Sequence, residues 1–295
     1  MRRYSPHPRW APWLFAAPFL LLFAVFVAWP LAKSLVLACQ QTFGPRTTRW
    51  VGIDNFVFMV RDPLFWLALR NTVLFALAAV FIQLPLSLGL AVLLNRPGLR
   101  GRAIYRLVLF SPSLVGLAFA GVLFALILER RYGLLNVALH ALFPSFDPDF
   151  AWLQTYALPS LMLASLWLCT GFNMVYFLAA LQGVPRELEE SAVIDGAGPW
   201  QRFRHIVWPE IRPVAGFVTL LSVIGGFQLF ELPWIMLDYT AGPTDNRGLT
   251  IVIYLYQMGF QLGDLGYASA IGWMLALVLI ALTWAQRRLL RRERP

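Results

Sequence analysis

The stretch ELEESAVIDGAG, residues 187–198, is a polar island in an apolar chain, and the fold can be worked out from its two sides. It holds four acidic residues, an Asp-Gly pair and a second glycine, and long uncharged runs flank it. Of the 295 residues, 59% are hydrophobic and 13% are charged, whereas a soluble domain has about 25% charged residues. One water-soluble core cannot bury that much apolar surface. The flanking runs therefore belong in a membrane, and the island lies outside it.

The uncharged runs are long enough to cross a bilayer, which takes about 20 residues of helix. Lipid offers no partner for open backbone groups, so each run is expected to be helical. The sequence predicts an all-α polytopic membrane protein, a single transmembrane domain over 1–295 with six spans at about 12–36, 71–94, 106–128, 155–181, 213–237 and 265–286. The stretch GLTIVIYLYQMGFQLG within the outer loop 238–264 is too short to span, so we expect it to be interfacial or re-entrant.

The net charge of +9 follows this topology. With a cytoplasmic N-terminus and six crossings, most arginines fall in segments that face the cytoplasm: the two termini, the turn at 95–106 and the segment at 186–212. The positive-inside rule describes this asymmetry. We therefore predict that both termini are cytoplasmic, and we assign the basic excess to orientation and not to nucleic-acid binding.

The polar island is predicted to form a hairpin of two short helices over residues 185–209. Pro185 suits the first turn of a helix, and the glutamates that follow it favour the positive end of the helix dipole. Gly196 can adopt the left-handed conformation that ends a helix. Pro199 can start a second helix, which Pro209 is expected to end. Such a hairpin would be an amphipathic docking surface, although an ordinary charged loop would also stay in water.

The spacing of residues in this hairpin resembles the EAA signature of ATP-binding cassette importer permeases. The residues that match or replace that signature are Glu190, Ser191, Ala192, Asp195, Gly196, Ala197, Phe203, Ile206 and Pro209. Ser191 stands in place of the first alanine, and Trp208 in place of the leucine before the final proline. Further stretches, among them YGLLN (132–136), TAGPTDN (240–246) and LGYASAIGWML (265–275), resemble the MalF/UgpA-type carbohydrate permeases.

This resemblance implies the type I importer permease fold in a bacterial or archaeal cytoplasmic (inner) membrane. It also implies four kinds of partner: a second, MalG-like permease, two cytoplasmic ATPase subunits, an extracytoplasmic solute-binding protein and membrane lipid. In such an assembly the hairpin is the coupling helix, with Glu190 as its acidic contact and Gly196 as its bend. The expected cargo is a sugar, an oligosaccharide or a glycerol-phosphate-type solute.

Other classes of function fit the sequence less well. Lys33 is the only lysine, and no glycine-rich loop surrounds it, so the chain lacks a Walker A motif and ATP must be hydrolysed by another subunit. No nucleophile–base pair or Cys/His cluster falls within the spans, so we expect no enzyme activity, metal or cofactor. A secondary transporter or channel without an ATPase remains the alternative, but such proteins usually carry several charged residues within their spans.

Four polar or aromatic residues are candidates for the transport pathway. Gln228 and Glu231 are three residues apart and Trp234 follows three later, which would place them on one face of the fifth span. Asn173 in the fourth span is a further candidate, although intramembrane amides more often bond between helices. An amide, a carboxylate and an indole on one stripe could bind a hydroxyl-rich solute. The alternative is that Glu231 contacts the partner permease or the binding protein.

Overall fold

Long apolar runs become long helices in the computed structural model of the chain, which describes residues 10–43, 47–96, 98–240 and 245–292. The arginines of the first nine residues, Pro97 and most of TAGPTDN lie outside these ranges. Within them, the chain divides into two compact units, Met1–Asp62 with Leu255–Met274, and Pro63–Tyr254 with Leu275–Pro295.

The elements up to the middle of the chain include three helices longer than ten residues. In order they are α1 (Ala11–Phe23, a π-helical turn at Ala24–Ala28, and Trp29–Ala38), β1 (Gln40–Phe43), β2 (Thr47–Trp50), α2 (Asp54–Arg61), α3 (Pro63–Ala78, a π turn at Ala79–Gln83, and Leu84–Asn95), α4 (Arg102–Phe110, then a 3-10 turn at Ser111–Leu114), α5 (Leu117–Ile127) and α6 (Leu134–Leu142).

The remaining elements contain the polar island and three further long helices. They are α7 (Trp152–Thr155), α8 (Ala157–Gln182), α9 (Arg186–Ile194), α10 (Pro199–Arg202, a π turn at Phe203–Val207, and Trp208–Phe227), α11 (Glu231–Met236), α12 (Ile251–Tyr256, then a π turn at Gln257–Gln261) and α13 (Leu265–Arg292).

Within the described residues, five helices are long and apolar enough to cross a membrane, and they lie in α1, α3, α8, α10 and α13. A sixth span results if α4 and α5, which are bent by 96° at a short break, count as one. The chain is thus mostly helical and polytopic with up to six spans, as the sequence predicts, and the short β1–β2 pair, which the sequence did not predict, lies outside them. Helix α3 begins at Pro63, eight residues before the expected start of the second span at about 71.

The first unit is held together at the end of α1 and the start of α13. Strand β1 pairs antiparallel with β2, and the Thr42 hydroxyl accepts a bond of 3.1 Å from the Gly266 N–H. A Cβ on Gly266 would lie 1.8 Å from the Gln40 carbonyl oxygen, so only glycine permits this approach. The Tyr267 hydroxyl donates a bond of 2.7 Å to the buried Asp62 carboxylate. These contacts explain why a glycine and a tyrosine stand at positions 266 and 267 of LGYASAIGWML.

The second unit is built around α8, which has fourteen buried residues, a feature that only a helix surrounded by others can have. One cluster packs α5 and α11 against its first half, through residues such as Phe124, Leu161 and Leu232. Another packs α3 and α10 against its second half, through residues such as Leu94, Met174 and Ile211. This arrangement brings Gln83 of α3, Ser165 of α8 and Ser222 of α10 around one cavity.

The third span is not the continuous helix expected over 106–128. Val115 and Gly116 are extended, with ψ of 129° and 150°, between α4 and α5. Pro112 lacks the N–H that a helix needs at this point, and the Ser113 hydroxyl bonds the Phe110 carbonyl at 2.6 Å. Because local polar groups satisfy the backbone, the helix breaks here.

The fifth span also differs from the prediction at both ends. Helix α10 does not end at Pro209 but continues through it to Phe227. The π turn before it lets the Trp208 N–H bond the Phe203 carbonyl, which makes room for the proline ring. Beyond Phe227 the helix breaks, so the expectation that Gln228 and Glu231 share one helical face is wrong.

Proline chemistry explains the second break. Pro233 has no N–H to bond the carbonyl of Leu229, four residues before it. The Thr250 hydroxyl bonds that carbonyl instead, at 2.9 Å. The chain therefore leaves the helix at Gln228 and starts α11 at Glu231.

Candidate functional site

The polar island forms helix α9 and a tight turn that leads into α10. The Gly196 N–H bonds the Val193 carbonyl at 3.0 Å, and the Ala197 N–H bonds the Ala192 carbonyl at 2.8 Å. This pair of bonds is the Schellman motif, which requires a left-handed residue just after the helix. Gly196 supplies it with φ of +77°. The bend of the hairpin therefore depends on one glycine.

Helix α10 starts immediately after this turn with its own cap. Gly198 is the N-cap, Pro199 takes the first helical position, and the Gln201 side chain accepts the Gly198 N–H at 2.9 Å. Proline is favoured there because the backbone N–H of the first helical residue has no partner within the helix, so a residue without an N–H loses no bond. The angle between α9 and α10 is thus fixed by four residues, 195–198.

The predicted hairpin residues fall into two groups. Glu190, Ser191, Asp195, Gly196 and Pro209 are exposed, while Ala192 and Ala197 are partly exposed. Phe203 and Ile206 instead pack against the core cluster around Met174 and Ile211. These two residues hold the hairpin against the bundle and do not belong to its free surface.

An exposed apolar pair that the sequence reasoning missed flanks the turn. Ile194 is 86% exposed and Trp200 is 69% exposed, one on each side of Gly196. Leu188 and Val193 on α9 are also exposed. Large apolar side chains next to a polar Asp-Gly turn were the available signal, because a solvated loop has no need of them. We call Ile194, Trp200 and the turn between them the exposed corner.

A charged cavity of about 540 Å³ lies at the base of the hairpin. Three arginines and two glutamates line it, together with the end of α8: Arg102, Arg186, Arg202, Glu189 and Glu190. The Nε of Arg202 is buried and has no hydrogen-bond partner among the described residues. The cavity brings the turn between α3 and α4 next to α9.

A second cavity, of about 430 Å³, lies between α3, α8, α10 and α11. It brings together three of the four predicted pathway residues, Asn173, Gln228 and Glu231, and it adds Gln83. Trp234 is not part of its wall; the indole stacks on Phe230, which is, with ring centroids 5.7 Å apart. Gln228 and Glu231 meet here because the break in the chain turns both toward the same space. We call this space the central cavity.

Helix α10 connects the two sites. It runs without interruption from Pro199, beside the exposed corner, to Phe227, next to Gln228 in the central cavity. The Gln286 side chain of α13 donates a bond of 2.7 Å to the Gly216 carbonyl near the middle of α10.

The sequence has clear relatives. Residues 83–295 match the family described as binding-protein-dependent transport system inner membrane component. The arabinooligosaccharides transport system permease protein AraP of Bacillus subtilis (strain 168) is 37% identical over 92% of this chain and 86% of its own length. The lactose transport system permease protein LacF of Rhizobium radiobacter is 35% identical over 93% and 92%. The sn-glycerol-3-phosphate transport system permease protein UgpA of Yersinia pestis is 33% identical over 96% and 95%.

Solved structures share the fold. A chain of a bacterial ABC transporter involved in the import of the acidic polysaccharide alginate superimposes with a TM-score of 0.82, over 97% of this chain and 96% of that chain, at 22% identity. The same TM-score and identity are found for the bacterial alginate transporter in complex with an alginate pentasaccharide-bound periplasmic protein, over 96% and 94%.

Proposed function

Because this chain belongs to the family of binding-protein-dependent transport system inner membrane components, we propose that it forms half of the translocation pathway of an ATP-driven importer for a sugar or oligosaccharide. Relatives named for arabinooligosaccharides and lactose support this cargo. A relative named for sn-glycerol-3-phosphate keeps a glycerol-phosphate-type solute as the second possible cargo. The chain is a transport subunit and not an enzyme. It functions in the inner membrane.

The proposed assembly contains a second, MalG-like permease, two cytoplasmic ATPase subunits and an extracytoplasmic solute-binding protein. The central cavity supports a second permease, because Gln228 and Glu231 are exposed and leave it open on one side. The arginines at the turn before α4 and along the polar island support a cytoplasmic hairpin and cytoplasmic termini.

The observation that carries the proposal is the exposed corner at the head of α10. A large exposed isoleucine and tryptophan beside a rigid turn are what a protein partner would cover. Glu190 on α9 adds an exposed carboxylate for a basic contact. We propose that an ATPase subunit binds α9 and this corner, with Glu190, Ser191, Ala192, Asp195, Gly196 and Ala197 at or next to the contact, and Phe203, Ile206 and Pro209 holding it to the spans.

In the same proposal, the cargo passes through the central cavity. Asn173, Gln228 and Glu231 face it with amide and carboxylate groups that can bond hydroxyls. Trp234 acts through Phe230, whose ring it stacks on.

Charge reversal at Glu190 tests the coupling. In the complete complex reconstituted in proteoliposomes, Glu190→Arg should lower ATP hydrolysis stimulated by the cargo-loaded binding protein at least tenfold, because removing one partner of a buried charge pair at an interface costs about 2–5 kcal/mol. Uptake should fall with it. Glu187→Arg is the matched control, since Glu187 is an exposed glutamate of the same helix that lies outside the charged cavity.

The readout separates coupling from assembly. The Glu190→Arg chain should still be inserted and co-purify with the second permease. Full stimulated hydrolysis in Glu190→Arg would remove this residue from the ATPase contact. A wild-type complex that takes up cargo without ATP would overturn the importer assignment itself.

A further inference from the structure

The wall of the central cavity has an unusual charge pattern. Its polar groups are amides and hydroxyls with one carboxylate, from Gln83, Ser165, Asn173, Ser222, Gln228 and Glu231. No lysine, arginine or histidine of the described chain lines it. At about 430 Å³ it is within the usual size range of small-molecule sites, roughly 300–1,000 Å³.

Gln83 is the polar group that is held most firmly in this wall. Its side chain is only 3% exposed, and it lies in the π turn of α3, a feature that is often associated with functional sites. The Ser165 hydroxyl of α8 donates a bond of 3.2 Å to its side-chain oxygen. That bond leaves the amide NH₂ group, which bonds no described residue, as the donor that remains for a solute.

We propose that Gln83 is a specificity-determining residue for cargo, and that the central cavity selects uncharged, hydroxyl-bearing solutes against anionic ones. This inference rests on the function proposed above. A neutral sugar offers ring and hydroxyl oxygens to the Gln83 amide and hydroxyl hydrogens to Glu231. An anionic solute would meet the Glu231 carboxylate with no guanidinium or ammonium group in the wall to offset the repulsion.

The proposal separates this chain from two kinds of protein that it resembles. One relative is named for sn-glycerol-3-phosphate, and the structures with the same fold are described as importing an acidic polysaccharide. The overall fold is therefore compatible with anionic cargo, and the selection that we propose for this chain comes from side chains in the wall and not from the fold.

A native thiol allows a test that does not depend on the binding protein. Cys169 lines the cavity together with Ser165, whose hydroxyl bonds the Gln83 side chain. Cys39 is the only other cysteine in the sequence and can be replaced by serine. In the purified complex that carries Cys39→Ser, the rate of Cys169 alkylation by N-ethylmaleimide is measured as solute is added.

Lactose and an arabinooligosaccharide should slow the alkylation in a saturable way, and sn-glycerol-3-phosphate and galacturonate should not at the same concentrations. Gln83→Leu should raise the half-protecting concentration of the neutral solutes about tenfold, the effect of one lost hydrogen bond in a desolvated site. Gln154→Leu, the same change at an exposed position outside the cavity, should leave it unchanged.

Ser165→Ala is the second variant, for the case in which Gln83→Leu does not fold. It keeps the amide but removes the bond that orients it, and a smaller rise, about threefold, is expected. Equal protection by the anionic solutes, or no protection by the neutral ones, would overturn the selection. ATP-driven, binding-protein-dependent uptake by the same preparation is scored separately, so that its absence counts against the importer and not against Gln83.

Discussion

At the scale of single residues, Gly196 shows how far the sequence predicts the site. An Asp-Gly pair after a helical pattern indicates a left-handed cap, and the structure has one, with φ of +77°. Ile194 and Trp200 could not be placed in the same way. Their residue types suit a core as well as an interface, and only the packed structure shows that Phe203 and Ile206 are the hairpin residues that pack against the core instead.

Substitution at Gly196 should disturb coupling through the backbone alone. A Cβ at this position would meet no atom within 4 Å, so the expected loss of coupling does not come from steric crowding. Gly196→Val forces a β-branched residue to a positive φ, which costs about 1–3 kcal/mol. We expect ATP hydrolysis stimulated by the binding protein to fall about tenfold.

Gly196→Asn is the informative comparison, because asparagine tolerates the left-handed region. It should keep most of the stimulated hydrolysis, measured in the same reconstituted complex. Equal losses in the valine and asparagine variants would mean that the glycine is needed for close contact with a partner and not for the bend.

At the scale of secondary structure, some prolines of this chain lie within continuous helices and others lie next to helix breaks. Pro30, Pro85 and Pro209 each come two residues after a π turn, and the helix continues through all three. Pro112 and Pro233 lie next to breaks, and the carbonyls that they leave without a helical donor, those of Val108 and Leu229, accept bonds from the hydroxyls of Ser111 and Thr250. The sequence alone does not separate these cases, because the bond that rescues the Leu229 carbonyl comes from Thr250, about twenty residues away along the chain.

The broken third span depends on a close approach at Gly171 of α8. A Cβ on this residue would lie 1.8 Å from the Leu109 carbonyl oxygen, which is backbone and cannot swing aside. Gly171→Ala should therefore force α4 away from α8, at a cost of about 1–3 kcal/mol for overpacking.

The measurement is the fraction of monodisperse protein that remains in detergent after heating, compared with wild type. Gly89→Ala is the matched control, because a Cβ on Gly89 of α3 would meet nothing within 4 Å. The temperature at which half of the protein remains monodisperse should fall by several degrees in Gly171→Ala and should not change in Gly89→Ala. An unchanged midpoint in Gly171→Ala would show that α4 can shift without loss.

At the scale of the whole molecule, the number and order of apolar helices were predictable because they follow from run length and charge. The 96° bend between α4 and α5 was not, because it depends on serine hydroxyl bonds around Pro112 and on the close approach of α4 to Gly171 of α8, and composition reveals neither. The central cavity was predicted in part. Asn173, Gln228 and Glu231 do meet, but through a break in the chain and not along one helical stripe.

The orientation in the membrane gives a prediction of its own. In a chain carrying Cys39→Ser and Cys169→Ser, single cysteines at Asp147 and Asn246 should react with an impermeant thiol reagent in intact cells. Cysteines at Arg100 and Glu189 should react only after the membrane is opened, because the positive-inside rule predicts that the arginine-rich segments face the cytoplasm. Labelling of position 189 from outside would reverse the assigned topology.

The continuity of α10 has a mechanical consequence. Its 29 residues make a rod about 43 Å long, and a hydrogen-bonded helix is far stiffer along its axis than any loop. A push at Pro199 cannot be absorbed by compression, so it reaches Phe227 as a translation or a roll of the whole rod. When an ATPase subunit moves the hairpin, as proposed above, the wall of the central cavity that carries Gln228 should move with it.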